Sequence, residues 1–250
     1  MTITLHQFRG SHFNEKARWA LAWKRIDHSR VCYLPGPHRG AIRRLTGQTA
    51  TPVIDVDGEI VAGSAAIIDC LEARFPERPL YPSNTAQRDK ALAIQRHFDA
   101  DIGPAARAVV FSVILDHPGY VTRIFASGEP ALSRLLYRSV LPLVRGVIAR
   151  ANDAADPVRI ASATDKVDRA LDWLADETRE RLYLAGDSFS VADLSAAALL
   201  SPIASIDHPD VARPPPVPQP LLKLLSRWSD HPALGWVRKQ YALHRPASDN

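Results

Sequence analysis

Gly10-Ser11-His12-Phe13-Asn14-Glu15-Lys16-Ala17-Arg18-Trp19-Ala20-Leu21 is the stretch whose reading decides how this chain folds. It follows Ile3 to Phe8, whose alternating apolar pattern predicts a strand. Ala17, Ala20 and Leu21 then recur on one face of a helix expected over residues 14–26. A strand feeding straight into a helix puts Ser11 beside backbone N–H groups that lack an intrahelical partner. Such a helix N-terminus stabilises an anion, a thiolate or a carboxylate among them.

The neighbouring segments extend this pattern. Arg30 to Leu34 predicts a second strand, and His38 to Thr46 a short helix closed by Gly47. Val53–Val56 and Glu59–Ala62 flank Asp57-Gly58, a strong two-residue hairpin turn. Ser64 is expected to cap a third helix bearing Ile67, Ile68, Leu71 and Phe75, which Pro76 ends. The order strand–helix–strand–helix–hairpin–helix implies a four-stranded mixed sheet with helices on its faces. Over residues 1–80 this order resembles an α/β thioredoxin-like fold. Folds of that kind often carry Cys-x-x-Cys where this chain has Ser11-His12-Phe13-Asn14. A thiol would therefore have to arrive with a substrate.

Pro76 to Ser83 reads as an ordered linker, and residues 86–250 as an all-α helical-bundle domain. Ala91, Gln95, Phe98 and Ile102 share one helical face, and Val167, Ala170, Leu171 and Leu174 another. Arg213 to Pro220 cannot be helical and predicts a rigid extended spacer between two helices. Thr51-Pro52-Val53 marks a constrained turn before the hairpin. A cis bond is open there, with trans the default. The turn would leave the backbone of Val53 to pair with an extended peptide. Gly63-Ser64 opens a helix and makes a second anion site, although an ordinary N-cap also explains Ser64.

Composition narrows the function classes. The chain is 46% hydrophobic and 23% charged, within the range of globular proteins. Its longest apolar stretch, Ala105 to Leu115, is interrupted by Arg107 and too short to span a bilayer. The first residues lack the basic region and apolar core of a signal peptide. Cys32 and Cys70 fall in apolar patterns and are expected to be small buried hydrophobes without a disulfide. A cytoplasmic setting is expected. Residues 1–50 hold nine lysines and arginines against two acids, which suits an anionic small molecule. No basic-aromatic cluster suggests nucleic acid. The nine histidines show no metal-ligand spacing, so no metal is expected. Serine-hydrolase, phosphate-loop and dinucleotide fingerprints are absent as well.

Taken together, these segments resemble the glutathione transferase superfamily along nearly the whole chain. Ser11, Phe13, Lys16 and Arg18 resemble the family's Ser-Pro-Phe-x-x-Lys-x-Arg start, with His12 replacing the proline. Thr51-Pro52-Val53 is similar to the cis-proline turn that binds the cysteinyl backbone of glutathione. Gly63-Ser64-Ala65-Ala66-Ile67 resembles the segment that grips its γ-glutamyl end. Leu184 to Leu194 resembles the family's N-capping box and hydrophobic staple, with Ser190 capping, Asp193 reaching back and Phe189 packing on Leu194. In one place the pattern breaks. Gly63 stands where the family has Glu, Gln or Asp, which removes a contact worth roughly 1.5–3 kcal/mol.

The resemblance implies an enzyme with glutathione as co-substrate, a serine-type thiolate partner in Ser11 and a homodimeric assembly. It implies binding roles for Phe13, Thr51, Pro52, Val53, Gly63 and Ser64, and by position for His38, Arg39 and Gln48. The second substrate, a small hydrophobic electrophile, is expected against Phe98, Arg107 and Phe111 of the helical domain. Two alternatives stay open. Glutathione is recycled, as in the family's isomerases and dehalogenases, or the chain binds ligands without turnover, which Gly63 favours.

Overall fold

The computed structural model describes residues 1–246. The first third builds β1 (Ile3–Gln7), α1 (His12–Trp23), β2 (Ser29–Cys32), α2 (His38–Thr46), β3 (Val53–Val56), β4 (Glu59–Ala62) and α3 (Ser64–Arg74). The sheet order is β2-β1-β3-β4, with β1 parallel to β2 and the other pairs antiparallel. This is the mixed four-stranded sheet expected from the sequence. Asp57 and Gly58 both have left-handed φ values, 54° and 91°, as a tight two-residue hairpin requires.

Three local readings are corrected. α1 begins at His12, because Ser11 already serves as its N-cap, and it stops at Trp23. β2 lies slightly earlier than Arg30–Leu34, since its register is set by pairing Thr4 with Ser29 and Gln7 with Cys32. Ser64 is the first residue inside α3, and Gly63 takes the cap position with φ 96°. A side chain there would be strained at that φ even though nothing lies within 4 Å of its Cβ position.

The remainder is helical: α4 (Thr85–His97), α5 (Gly103–Ile114), α6 (Pro118–Phe125), α7 (Ala131–Ala151), α8 (Pro157–Glu177), α9 (Val191–Leu200), α10 (Gln219–Leu225) and α11 (Pro232–His244). A π-helical turn, Phe98–Ile102, joins α4 to α5. The faces expected at Ala91, Gln95, Phe98, Ile102 and at Val167, Ala170, Leu171, Leu174 are buried. No helix among the described residues is long and apolar enough to cross a membrane.

α9 is the central post, buried along its whole length and packed on α1, α4 and α11. Its N-terminus is held by Asp193, whose carboxylate accepts from the N–H of Leu184 (2.8 Å) and from both the N–H (2.9 Å) and hydroxyl (2.8 Å) of Ser190. Phe189 reaches further than a local staple. Its ring meets Trp19 and Trp23 of α1 and His244 at the end of α11. Those aromatic contacts join the sheet-bearing part to the helical part. Cys32 and Cys70 are unpaired and half-buried rather than buried, because β2 is a sheet edge and Cys70 sits on the partly open face of α3.

Candidate functional site

Ser11 follows the buried β1, and its Oγ accepts the N–H of Asn14 at 3.4 Å. Its position is fixed by buried charge on the helix it caps. Arg18 donates to Glu15 Oε2 (2.8 Å), Gln7 Oε1 (2.7 Å) and the carbonyls of Phe8 (3.2 Å) and Ser11 (3.4 Å). Arg245 from the far end of the chain donates to the opposite oxygen of Glu15 at 2.8 Å and to Asp210 at 2.6 Å. Burial alone would raise the Glu15 carboxyl, but Arg245 and Arg18 hold it below its ordinary range. Lys16, also buried, is paired with Asp99 at 2.6 Å. These partners make α1 a rigid mount.

His12 turns away from Ser11. Its Nε2 lies 3.0 Å from the carbonyl of Gly103, which can only accept, so Nε2 carries the proton and Nδ1 the lone pair. Burial, followed by the charge of Arg107, lowers its pKa to about 3. The ring is neutral and is no proton acceptor for Ser11 at ordinary pH. Phe13 packs beneath Arg107, whose guanidinium stands 5.7 Å from the ring centre.

A contiguous run of hydrogen bonds leads from Ser11 across the sheet edge. Asn14 Nδ2 donates to Thr51 Oγ1 at 3.2 Å, the Thr51–Pro52 bond is cis, and Gly63 N–H donates to the Pro52 carbonyl at 2.9 Å. Ser64, buried, follows at the start of α3. Val53 sits inside the sheet, opposite His6 of β1 and Ala62 of β4. The backbone outside the ladder at this turn is therefore that of Thr51, which precedes β3. His38 has both ring nitrogens engaged, Nδ1 with Gly36 N–H and Nε2 with the Thr49 carbonyl. Gln48 closes its amide onto the backbone of Ala50. Both shape the loop before Thr51 and have their polar ends occupied.

Beside Ser11 opens a cavity of about 390 Å³ between the β1–α1 loop, α5, α6 and the 201–214 segment. Gly10 permits this closeness, since a Cβ there would lie 2.0 Å from Ile124 of α6. Arg107 and Phe111 line the wall. Phe98 does not; it is fully buried in the core with its ring toward Trp173. The helix turn that carries it is π-helical, and its face belongs to the core. Sequence reasoning missed Tyr120, Arg123 and Arg213 on the same wall. Arg213 opens the proline-rich run read as a spacer: residues 213–218 lie outside any helix, with a cis Pro215–Pro216 bond and with Arg213 and Pro214 on the cavity wall. Gln219 and Pro220, by contrast, were read as non-helical but form the first turn of α10, where a proline has no intrahelical N–H to lose. The arginine heading that run was the one available signal.

A serine-capped first helix after a parallel-paired strand, a cis-proline turn before a hairpin, and an all-helical second half facing the same cavity define a glutathione-transferase-type protein. The chain matches the glutathione S-transferase N-terminal domain over residues 5–79 and the C-terminal domain over residues 142–239, and it belongs to that superfamily. It is 26% identical over 144 residues to the maleylacetoacetate isomerase of Dictyostelium discoideum, covering 53% of this chain and 66% of the relative. It is 31% identical over 121 residues to that of Pseudomonas aeruginosa, covering 45% and 56%. The chain thus spans between about half and two-thirds of these relatives. Among solved structures, a glutathione S-transferase of Methylobacillus flagellatus with glutathione bound superposes with a TM-score of 0.62 at 18% identity, over 97% of this chain and 95% of that one. That likeness is one of fold.

Proposed function

We propose that this protein is a glutathione-dependent enzyme in which Ser11 stabilises the thiolate for attack on an electrophile held in the adjoining cavity. The observation that carries the reading is the placement of Ser11 Oγ at the N-terminus of α1 and at the edge of that cavity. Its hydroxyl donates to the bound sulfur while Oγ keeps the Asn14 N–H. Lowering a thiol by about two pKa units takes about 2.7 kcal/mol. A hydrogen bond to an anion supplies about 1.5–3 kcal/mol and the helix end about 0.3–1 kcal/mol, so no general base is needed. The thiol-bearing peptide lies against Thr51 and the cis-proline turn, with its γ-glutamyl end on the Gly63–Ser64 helix start. Ser11→Ala should leave glutathione binding by calorimetry within a few-fold. It should raise the pKa of the bound thiol and lower kcat/KM by about ten- to a hundredfold. Full activity in that variant would remove Ser11 from the mechanism.

A second reading concerns the fate of glutathione. Both curated relatives described above are named isomerases. In that case the thiolate adds to a conjugated double bond, the new single bond rotates, and expulsion of the thiolate regenerates free glutathione. Product stoichiometry separates the two: consumption of glutathione one-for-one supports transfer, and unchanged glutathione supports isomerisation. The homodimer implied by the family belongs on the outer face of α7, where Leu132, Leu135, Leu136, Val140, Leu143 and Val147 stand exposed.

A further inference from the structure

The cavity beside Ser11 contains positive charge that its own walls do not neutralise. Arg107, Arg123 and Arg213 line it, and none of the three makes an ion pair among the described residues. Arg107 feels Asp153 only at a distance. The acid in the wall, Asp210, already faces Arg30 (2.8 Å) and Arg245 (2.6 Å). Arg213 donates to the carbonyls of Pro202 (3.0 Å) and Ala204 (2.7 Å) and to Ser205 Oγ (3.0 Å). Arg123 donates to the Pro216 carbonyl at 2.8 Å, and its Nε is buried without a partner among the described residues. These acceptors are neutral. They satisfy some N–H groups and leave the guanidinium charges uncompensated, a costly arrangement for partly buried cations.

Tyr120 lines the same wall as those two arginines. It is 2% exposed, and its hydroxyl has no hydrogen-bond partner among the described residues. Arg123 lies 5.5 Å from the ring centre, and Arg213 is close enough to perturb the phenol electrostatically. An unmatched buried hydroxyl near two uncompensated cations is a half-site for an anion, because a bound anion supplies the charge and the acceptor together.

We propose that the end of the cavity formed by Tyr120, Arg123 and Arg213 seats a carboxylate of the electrophilic substrate, so that the enzyme selects acidic acceptors over purely apolar ones. Arg107, on α5 near His12, adds positive charge to the same wall. The inference rests on the glutathione reading above, and it turns the hydrophobic electrophile expected from the sequence into an amphiphilic one. Val110, Phe111, Ile114 and Ile124 hold its apolar part.

Calorimetry with S-(4-carboxybenzyl)glutathione and S-(4-methylbenzyl)glutathione, alongside plain glutathione, tests it. The wild type should bind the carboxylate conjugate at least tenfold tighter than the methyl one. Arg123→Gln should abolish that preference and leave plain glutathione unchanged. Arg213→Gln tests the same point, but Arg213 also braces the 202–205 loop. Tyr120→Phe therefore provides the conservative variant: it removes a hydroxyl with no partner, keeps the melting temperature, and reduces the carboxylate preference several-fold. Equal binding of both conjugates by the wild type overturns the subsite while leaving the glutathione reading intact. Parallel weakening of plain glutathione in the arginine variants also overturns it, since the arginines would then hold a carboxylate of glutathione itself. Failure of glutathione to bind at all overturns the proposed function instead. The subsite is then decided by 4-methylbenzoate against 4-methylbenzamide, with equal or no binding counting against it.

Discussion

His12 shows how one side chain's surroundings set its chemistry. Adjacent to Ser11 in sequence, it nevertheless points at the Gly103 carbonyl and stays neutral because burial and Arg107 both disfavour its charged form. Its folded pKa, about 3, lies below the ordinary histidine value, so its contribution to stability is complete above about pH 6.5. That contribution is lost as the pH falls from there toward 3, where unfolding lets the ring take up a proton. Glu15 acts in the same direction at lower pH, since its carboxyl is held below the usual range and its stabilising effect also disappears on acidification. Two outcomes follow for His12. Its ring resonances should not titrate between pH 5 and 9 by NMR. His12→Gln should flatten part of the drop in melting temperature between pH 6.5 and 4.5. Titration of His12 near pH 6.5 would show that the ring is solvated and the Gly103 contact absent.

Among the elements, α9 depends most on its N-terminus. It is buried throughout and mostly apolar, so little along it marks where it should begin, and Asp193 in its first turn supplies the stop by collecting three donors. Burial raises the Asp193 carboxyl to about 6 against the pull of those hydrogen bonds. Asp193→Ala would leave the buried N–H groups of Ser190 and Leu184 without acceptors, at about 1–3 kcal/mol each. A loss of at least 2 kcal/mol is expected, read in chemical denaturation, with the melting temperature falling by several degrees. Ser11→Ala should not share this effect, because the Ser11 cap is a single long hydrogen bond on a helix already pinned by Arg18 and Lys16. The contrast separates a cap on which the fold depends from one that the fold can lose.

For the whole molecule, the exposed stripe on α7 is the feature a monomer explains least. Leu143 is 82% exposed and Leu132 67%, and the residues between recur at helical spacing. Sedimentation should show a dimer, and Leu135→Arg with Leu143→Arg should shift it to monomer while retaining helical content. A wild-type monomer at micromolar concentration would leave the stripe to another partner. Contacts over long sequence separations hold the rest together. Trp19 Nε1 donates to the His244 carbonyl at 2.9 Å, and Arg245 completes the pair begun by Glu15. The chain's last described turn thus supports the helix on which Ser11 sits.

Local patterns carried the order of strands and helices along the chain, the hairpin at Asp57-Gly58, the buried faces of α4 and α8, and Ser11 at a helix start. Each depends on residues a few positions apart, where periodicity, turn chemistry and capping act directly. The choice between Gly63 and Ser64 as cap was not legible, because it turns on one backbone angle. Phe98 was misplaced for a related reason: the sequence shows an apolar position without showing whether core or cavity receives it. Of the cavity wall, Arg107 and Phe111 were read from the sequence, while Tyr120, Arg123 and Arg213 were not. Ser11, Arg107, Tyr120, Arg123 and Arg213 come from four separated segments, and their charges become uncompensated only once packing decides which acids reach which arginines. The sequence by itself determined a glutathione-transferase fold with a serine at the cap of its first helix. Tertiary structure alone decided what lies beside that serine, because burial and charge pairing are properties of neighbours in space.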